Sequence, residues 1–421
     1  MKRLIRLWVL RSLSAAFFAT LFVGLVGCKK ESKTITLQLF HYKQEIVNQM
    51  NEIASVFHQK YPNITVETET IPNDAQTVLK TRLVAGESPD IMMLQSYSTV
   101  FEYAEAGYLL DISNEPFMAN IVDGSKTAVT NKGKIYALPM DMAGIGVIYN
   151  KDLFKQYNLS VPTTFTEMKK VCETFEKNGI IPFAVSIKDS WPLGHFYSMA
   201  HTVSVKDELL SWVDSMNKGE AEFKSDKMDA MFKVFDFYKA NGGANATEMD
   251  YNNQTANFAS GKYAMMVQGL WAYGTSKSIN PTLNAGFFPF PFTDDAADTK
   301  LYTDTDSTFA ISSKSSPEKI DAAKKFLEFL ASQEGSKMWV EKCKLIPTVK
   351  GADVSNMDSP FQDLVRYIQE GNTIPWAFSM WPVVAFEESK KAMQEYYGKQ
   401  KNADQVMEYL TTQWRTAKGI K

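Results

Sequence analysis

Trp191-Pro192-Leu193, Trp271-Ala272-Tyr273 and the pair Trp376 and Trp381 stand in turn-like or helix-starting contexts, where a side chain can reach a ligand. An indole offers a flat apolar face and one N–H donor. That face matches the C–H face of a pyranose, whose rim of hydroxyls asks for donors and acceptors such as Asp, Gln, Asn and Lys. Of eight tryptophans, all but Trp8 lie after position 190. Core or lobe-interface packing is the other use of each ring, but several loop tryptophans together favour a ligand.

Other chemistries find little support. The four histidines, His41, His58, His195 and His201, are scattered without metal-ligand spacing. Gly144-Ile145-Gly146 lacks the third glycine of a phosphate loop and runs into apolar Val147-Ile148. No Gly-x-Ser-x-Gly elbow occurs. The paired carboxylates of a glycosidase are spatial rather than sequential, so that reading stays open. The residues therefore predict no metal, no cofactor and no catalytic group.

The elements that must position these residues alternate between strand and helix. Ile35, Leu37 and Leu39 share one face of a strand over Thr34–Phe40, and Ile46, Met50, Ile53 and Phe57 recur at helical spacing. A second strand over Ile64–Ile71, a helix ending at Gly86 and an apolar run Ile91–Leu94 complete an α/β pattern. Such sheets bind ligands beyond the carboxyl ends of their strands. His41, Tyr42 and Lys43 follow the first strand, and Gln95, Ser96 and Tyr97 follow the third. Further on, Met140–Gly146 reads as a small, flexible crossing between two strands, a hinge candidate. Thr164 and Glu167 have the spacing of a capping box. Thr299–Ile311 reads as another strand crossing, and Val383–Tyr396 and Ala403–Thr416 as two closing helices.

The amino terminus carries an address. Lys2, Arg3, Arg6 and Arg11 precede an uncharged stretch, Ser12 to Gly27, that ends at Cys28. This is the layout of a secretory signal, and Val26-Gly27-Cys28 resembles a bacterial lipobox. The expectation is a leader at 1–27, a lipidated tether at 28–33 and a protein held outside the cytoplasm by lipid on Cys28. The formal charge of −3 becomes more negative once those four basic residues are removed, which argues against nucleic acid as a partner. The length of the rest suggests two domains. Of the three cysteines, Cys172 and Cys343 can form either a disulfide or two buried thiols.

Several stretches, in order, resemble the family 1 extracellular solute-binding proteins of sugar ABC transporters, which include the maltose-binding proteins. They are Gly86-Glu87-Ser88-Pro89-Asp90-Ile91, Ala106-Gly107-Tyr108-Leu109-Leu110-Asp111, Gly133-Lys134-Ile135-Tyr136-Ala137-Leu138-Pro139 and Tyr149-Asn150-Lys151-Asp152-Leu153-Phe154. Pro162-Thr163-Thr164-Phe165 follows, and then the most specific, Phe258-Ala259-Ser260-Gly261-Lys262-Tyr263-Ala264-Met265 with Gly269-Leu270-Trp271. The resemblance implies a two-lobed periplasmic-binding-protein fold of type II, its ligand cleft between lobes joined by hinge crossings. Lobe one is expected at 34–141 plus 300–344 and lobe two at 142–299 plus 345–421.

The same resemblance implies stacking roles for Trp271, Trp191 and Trp381, and a polar contact from Asp141. Asp306, Gln95, Lys43 and Tyr42 are the further candidates for hydroxyl contacts. Departures from the maltose-binding members are Ala143 in place of an acid, Gln95-Ser96-Tyr97 in place of an Asp-Arg pair, and Thr305-Asp306 in place of Gly-Gly. They keep the architecture and point away from maltose itself. The expected protein is a monomeric, lipid-anchored binding protein that hands a sugar to a membrane permease. A binding protein for a non-sugar solute such as a polyamine, using Asp141 and Asp306, and a lipid-anchored glycan-degrading enzyme are the rival readings.

Overall fold

Leu37 and Leu39, both fully buried, turn the strand Ile35–His41 into the middle of a sheet. The computed structural model describes residues 34–420, so the leader and Cys28 lie outside the described residues. In this first sheet Ile35–His41 runs parallel to Ile64–Thr70 and to Ile91–Gln95. Ile91–Leu94 is buried on both faces, as an unbroken apolar run demands. Ser307–Ile311 lies antiparallel beside it, and Leu138–Pro139 closes the edge. Asp90 ties this layer together: its carboxylate accepts from Gln38 N (2.9 Å) and Ser315 Oγ (2.6 Å) and pairs with Lys319 (2.8 Å).

The second sheet is built on the long strand Asp141–Asn150. Tyr263–Gly269 and Leu301–Thr305 flank it antiparallel, with Ile181–Phe183 and Thr373–Ile374 at the outer edges. Ala285–Phe288 and Ile346–Pro347 also pair with the long strand. Helices Trp191–Val205, Val383–Tyr397 and Ala403–Lys418 pack beside this sheet around Tyr197, Phe223, Trp381 and Trp414, all buried. The capping box of Thr164 and Glu167 forms at the start of Phe165–Lys177.

The chain passes between the sheets at Met140, at Asp306, and once more over residues 346–358. Two expectations change here. The return to the first sheet comes at Asp306 rather than at 300, because Leu301–Thr305 pairs with the long strand of the second sheet. Residues 141–146 are continuous strand rather than a flexible crossing. Their glycines answer to packing: a Cβ on Gly144 would lie 3.0 Å from Leu364 and Phe287, and one on Gly146 only 2.6 Å from the Phe288 carbonyl. Cys172 and Cys343 are both free and buried.

Candidate functional site

Beyond the carboxyl ends of the first sheet, the loops at Tyr42–Glu45 and Asn73–Gln76 and the side chain of Gln95 form one wall of a cavity of about 330 Å³. The opposite wall comes from the second sheet's layer. Trp191 opens helix Trp191–Val205, with Pro192 in the first turn, where its missing N–H costs nothing. His195, one turn on, lies on the same face and also lines the cavity. Trp271 opens helix Trp271–Ile279 directly after the strand Tyr263–Gly269. Glu387, Lys390 and Gln394 reach the rim from one face of helix Val383–Tyr397.

The aromatic groups form a continuous surface. Ring centroids of Trp191 and Trp271 are 6.3 Å apart, and His195 lies 5.6 Å from Trp191 and 6.0 Å from Trp271. Tyr251 backs Trp191 at 5.2 Å. Trp271 is buried, whereas Trp191 is only partly so.

A charged cluster sits where the chain crosses between sheets. Lys43 Nζ lies 2.5 Å from Asp306 Oδ2, 3.4 Å from Asp141 Oδ2, and 5.4 Å from the centroid of the Trp271 ring. Asp141 is fully buried, and its Oδ1 accepts from the Ser307 amide (3.1 Å) and from the Ser307 hydroxyl. Burial pushes the Asp141 carboxyl up to about 6; Lys43 opposes this and Asp306 adds to it. For Lys43, burial works against the charge, but Asp141 and Asp306 outweigh it and hold the ammonium well above its usual range. Burial also raises Glu45 and draws His195 down to about 3, which keeps that imidazole neutral.

Most of the other charges in the wall are spoken for. Asp189 accepts from Tyr251 N (2.7 Å), Lys390 pairs with Glu387 (2.6 Å), and Lys188 lies 3.6 Å from Asp250. Two buried polar atoms of the wall have no hydrogen-bond partner among the described residues: the Tyr42 hydroxyl and His195 Nδ1. Among the described residues, no cluster of His, Cys, Asp and Glu could hold a metal ion. The arrangement offers stacking surfaces and hydroxyl-scale hydrogen bonds.

Of the residues expected from sequence, Trp271, Trp191, Asp306, Gln95, Lys43 and Tyr42 line the cavity. Asp141 sits behind it and touches it through Lys43. Trp381 does not reach it. Its ring is fully buried against Phe223 (5.0 Å), His201 (5.3 Å) and Trp414 (6.3 Å), because Pro382 and the helix after it turn the indole into the helical layer. Trp376 is likewise core, stacked 5.2 Å from Phe378. Sequence reasoning missed Glu45, Gln76, His195, Glu387 and Gln394. The four-residue spacing of Trp191 and His195 was a usable signal; the polar face of Val383–Tyr397 looks like any solvated face.

A profile of the bacterial extracellular solute-binding protein family matches residues 41–337, more than half of the chain. The chain is 25% identical over 367 residues to the multiple sugar-binding protein of Streptococcus mutans, covering 84% of each. It is 22% identical over 343 residues to the melibiose/raffinose/stachyose-binding protein MelE of Bacillus subtilis, covering 78% of this chain and 79% of that one. The solved structure of RafE in complex with raffinose superposes with a TM-score of 0.81 at 23% identity, over 91% of this chain and 100% of that one. A Bacillus licheniformis sugar transporter in complex with stachyose gives 0.77 at 19%, with the same coverage.

Proposed function

Since the chain belongs to the bacterial extracellular solute-binding protein family, we propose that it captures a carbohydrate, an oligosaccharide, between its two sheets and delivers it to the permease of an ABC importer. The family is one of transport proteins, not enzymes. One observation carries the reading: Trp191, His195 and Trp271 form an aromatic wall facing a polar one, where the Tyr42 hydroxyl has no partner among the described residues. Stacking on the indoles and hydrogen bonds to Gln95, Gln76 and His195 Nδ1 suit a ring with one C–H face and a hydroxyl rim. The names of the relatives, raffinose and stachyose among them, favour the same class.

Each sheet with its covering helices serves as one lobe. Closure brings the polar wall onto the aromatic one, and the ligand favours the closed state by touching both. Moving from mostly open to mostly closed takes about 5.5 kcal/mol of differential affinity. Two or three aromatic contacts at about 1 kcal/mol each, with a few net hydrogen bonds at about 1 kcal/mol, supply that.

The anchor is read from the basic start, the uncharged stretch Ser12 to Gly27 and Val26-Gly27-Cys28, and implies a protein held outside the cytoplasm by lipid on Cys28; the monomer follows from the family resemblance. Incorporation of labelled palmitate that persists in Cys28→Ala would remove this part of the reading. Thermal melting and tryptophan fluorescence with raffinose, stachyose, maltotriose and mannitol test the ligand. A saturable shift with one glycan, abolished in Trp191→Ala, is expected; silence across all of them would overturn the sugar assignment.

A further inference from the structure

We infer that Lys43 is a built-in cation seated in what is otherwise an ammonium site, and that it sets specificity by excluding amine solutes from the cavity. The inference rests on the reading of this cavity as the ligand site.

The site around the Lys43 ammonium has the parts that recognise an organic cation. Two carboxylates, Asp306 at 2.5 Å and Asp141 at 3.4 Å, converge on one nitrogen. The face of an indole, Trp271, completes it at 5.4 Å. All are enclosed: Lys43 is 3% exposed, Asp141 0%, Asp306 6% and Trp271 8%. Glu45 adds a third carboxyl to the same wall. One ammonium therefore faces an excess of buried negative charge, which needs a cation whether or not the chain supplies it.

The parts come from different places. Lys43 follows the first strand of one sheet, Asp141 and Asp306 lie at the crossings, and Trp271 belongs to the other sheet's layer. The only covalent link between the ammonium and the rest is its own four-carbon stem. A free alkylammonium in the same seat would make the same contacts. With Lys43 there, an amine must displace a tethered ion at very high effective concentration, so amines lose and neutral, hydroxylated solutes compete unopposed for the remaining surface.

Lys43→Ala removes the atoms of n-propylammonium, and this dictates the test. The whole chain, wild type and Lys43→Ala, is melted in propylammonium chloride against n-propanol and sodium chloride at equal concentration. The variant is expected to melt lower than wild type and to recover most of that loss saturably with propylammonium alone. Wild type should not respond, and the variant carrying Asp306→Asn as well should lose the response. If Lys43→Ala does not fold unaided, its refolded yield in propylammonium against sodium chloride reads the same site. No amine-specific recovery in either readout overturns the inference, as does an equal response of wild type. A wild type silent to every glycan, with an amine-rescued variant, would remove the sugar reading and leave the cation seat in place.

Discussion

The indole of Trp271 lies directly over Gly269: a Cβ at that glycine would sit 2.2 Å from the ring's far edge. The spacing Gly269-Leu270-Trp271 is thus a packing requirement, in which the missing side chain makes the seat for the ring. Gly269→Ala should push the indole into the cavity, cost about 1–3 kcal/mol of stability by overpacking, and weaken ligand binding. Urea unfolding beside titration with the identified glycan checks both. Undiminished affinity would show that Trp271 is not part of the ligand surface.

Two tryptophans of similar expected role should part company. Trp191 is only partly buried on the cavity wall, so Trp191→Ala should cost less stability than loss of a fully buried indole and at least tenfold in affinity. Trp381 is fully buried among Phe223, His201 and Trp414, so Trp381→Ala should cost about 3–5 kcal/mol. Denaturant midpoints and isothermal titration of both variants would expose an error if the pattern were reversed.

Acid should unfold this protein through its buried imidazoles. Burial draws His41 down to about 4 and both His195 and His201 to about 3. Each ionises near 6.5 once unfolded, so the unfolded chain binds more protons and stability falls as pH drops below 6.5, by roughly 1.4 kcal/mol per pH unit per group. Asp141 works the other way. Its carboxyl, raised by burial to about 6, is protonated in the folded state before the unfolded one, so between pH 6 and 4 it offsets one histidine. Asp141→Asn should therefore steepen the loss of stability across pH 6 to 4. Thermal melts at half-unit intervals decide it; a shallower curve in the variant would sink the argument.

Glu102, in the helix Ser98–Glu105 beside the first sheet, accepts at 3.1 Å from the amide of Val383, which starts a helix of the second sheet's layer. This bond crosses the cleft at an exposed place, and so is worth only about 1 kcal/mol. Glu102→Ala should shift the unliganded molecule toward open forms, seen as a larger radius of gyration in solution scattering, and weaken ligand affinity less than tenfold. An unchanged radius would mean that the bond does not help to hold the cleft shut.

Much of the fold was legible because its signals are local. The alternation of Leu37 and Leu39, the doubly buried run Ile91–Leu94 and the capping box at Thr164 each report their own element. Tyr42, Lys43 and Gln95 could be placed because loops after parallel strands collect on one edge of a sheet. Trp381 could not. Whether an indole before a helix faces ligand or core depends on how that helix packs, and here Trp414, more than thirty residues on, takes it inside. The glycines at 144 and 146 misled for a similar reason: flexibility and close packing ask for the same residue.

The strand Ser307–Ile311 lies between Ile91–Gln95 and Leu138–Pro139 in the first sheet. A chain under synthesis has therefore made every other strand of that sheet, and all of the second but Ile346–Pro347 and Thr373–Ile374, before the piece that joins the first together exists. Until then the row of amides along Ile91–Gln95 is an open edge, and the first lobe, though it starts first, stays incomplete while most strands of the second are made. A truncation before residue 311 should therefore leave an aggregating fragment rather than a small stable domain.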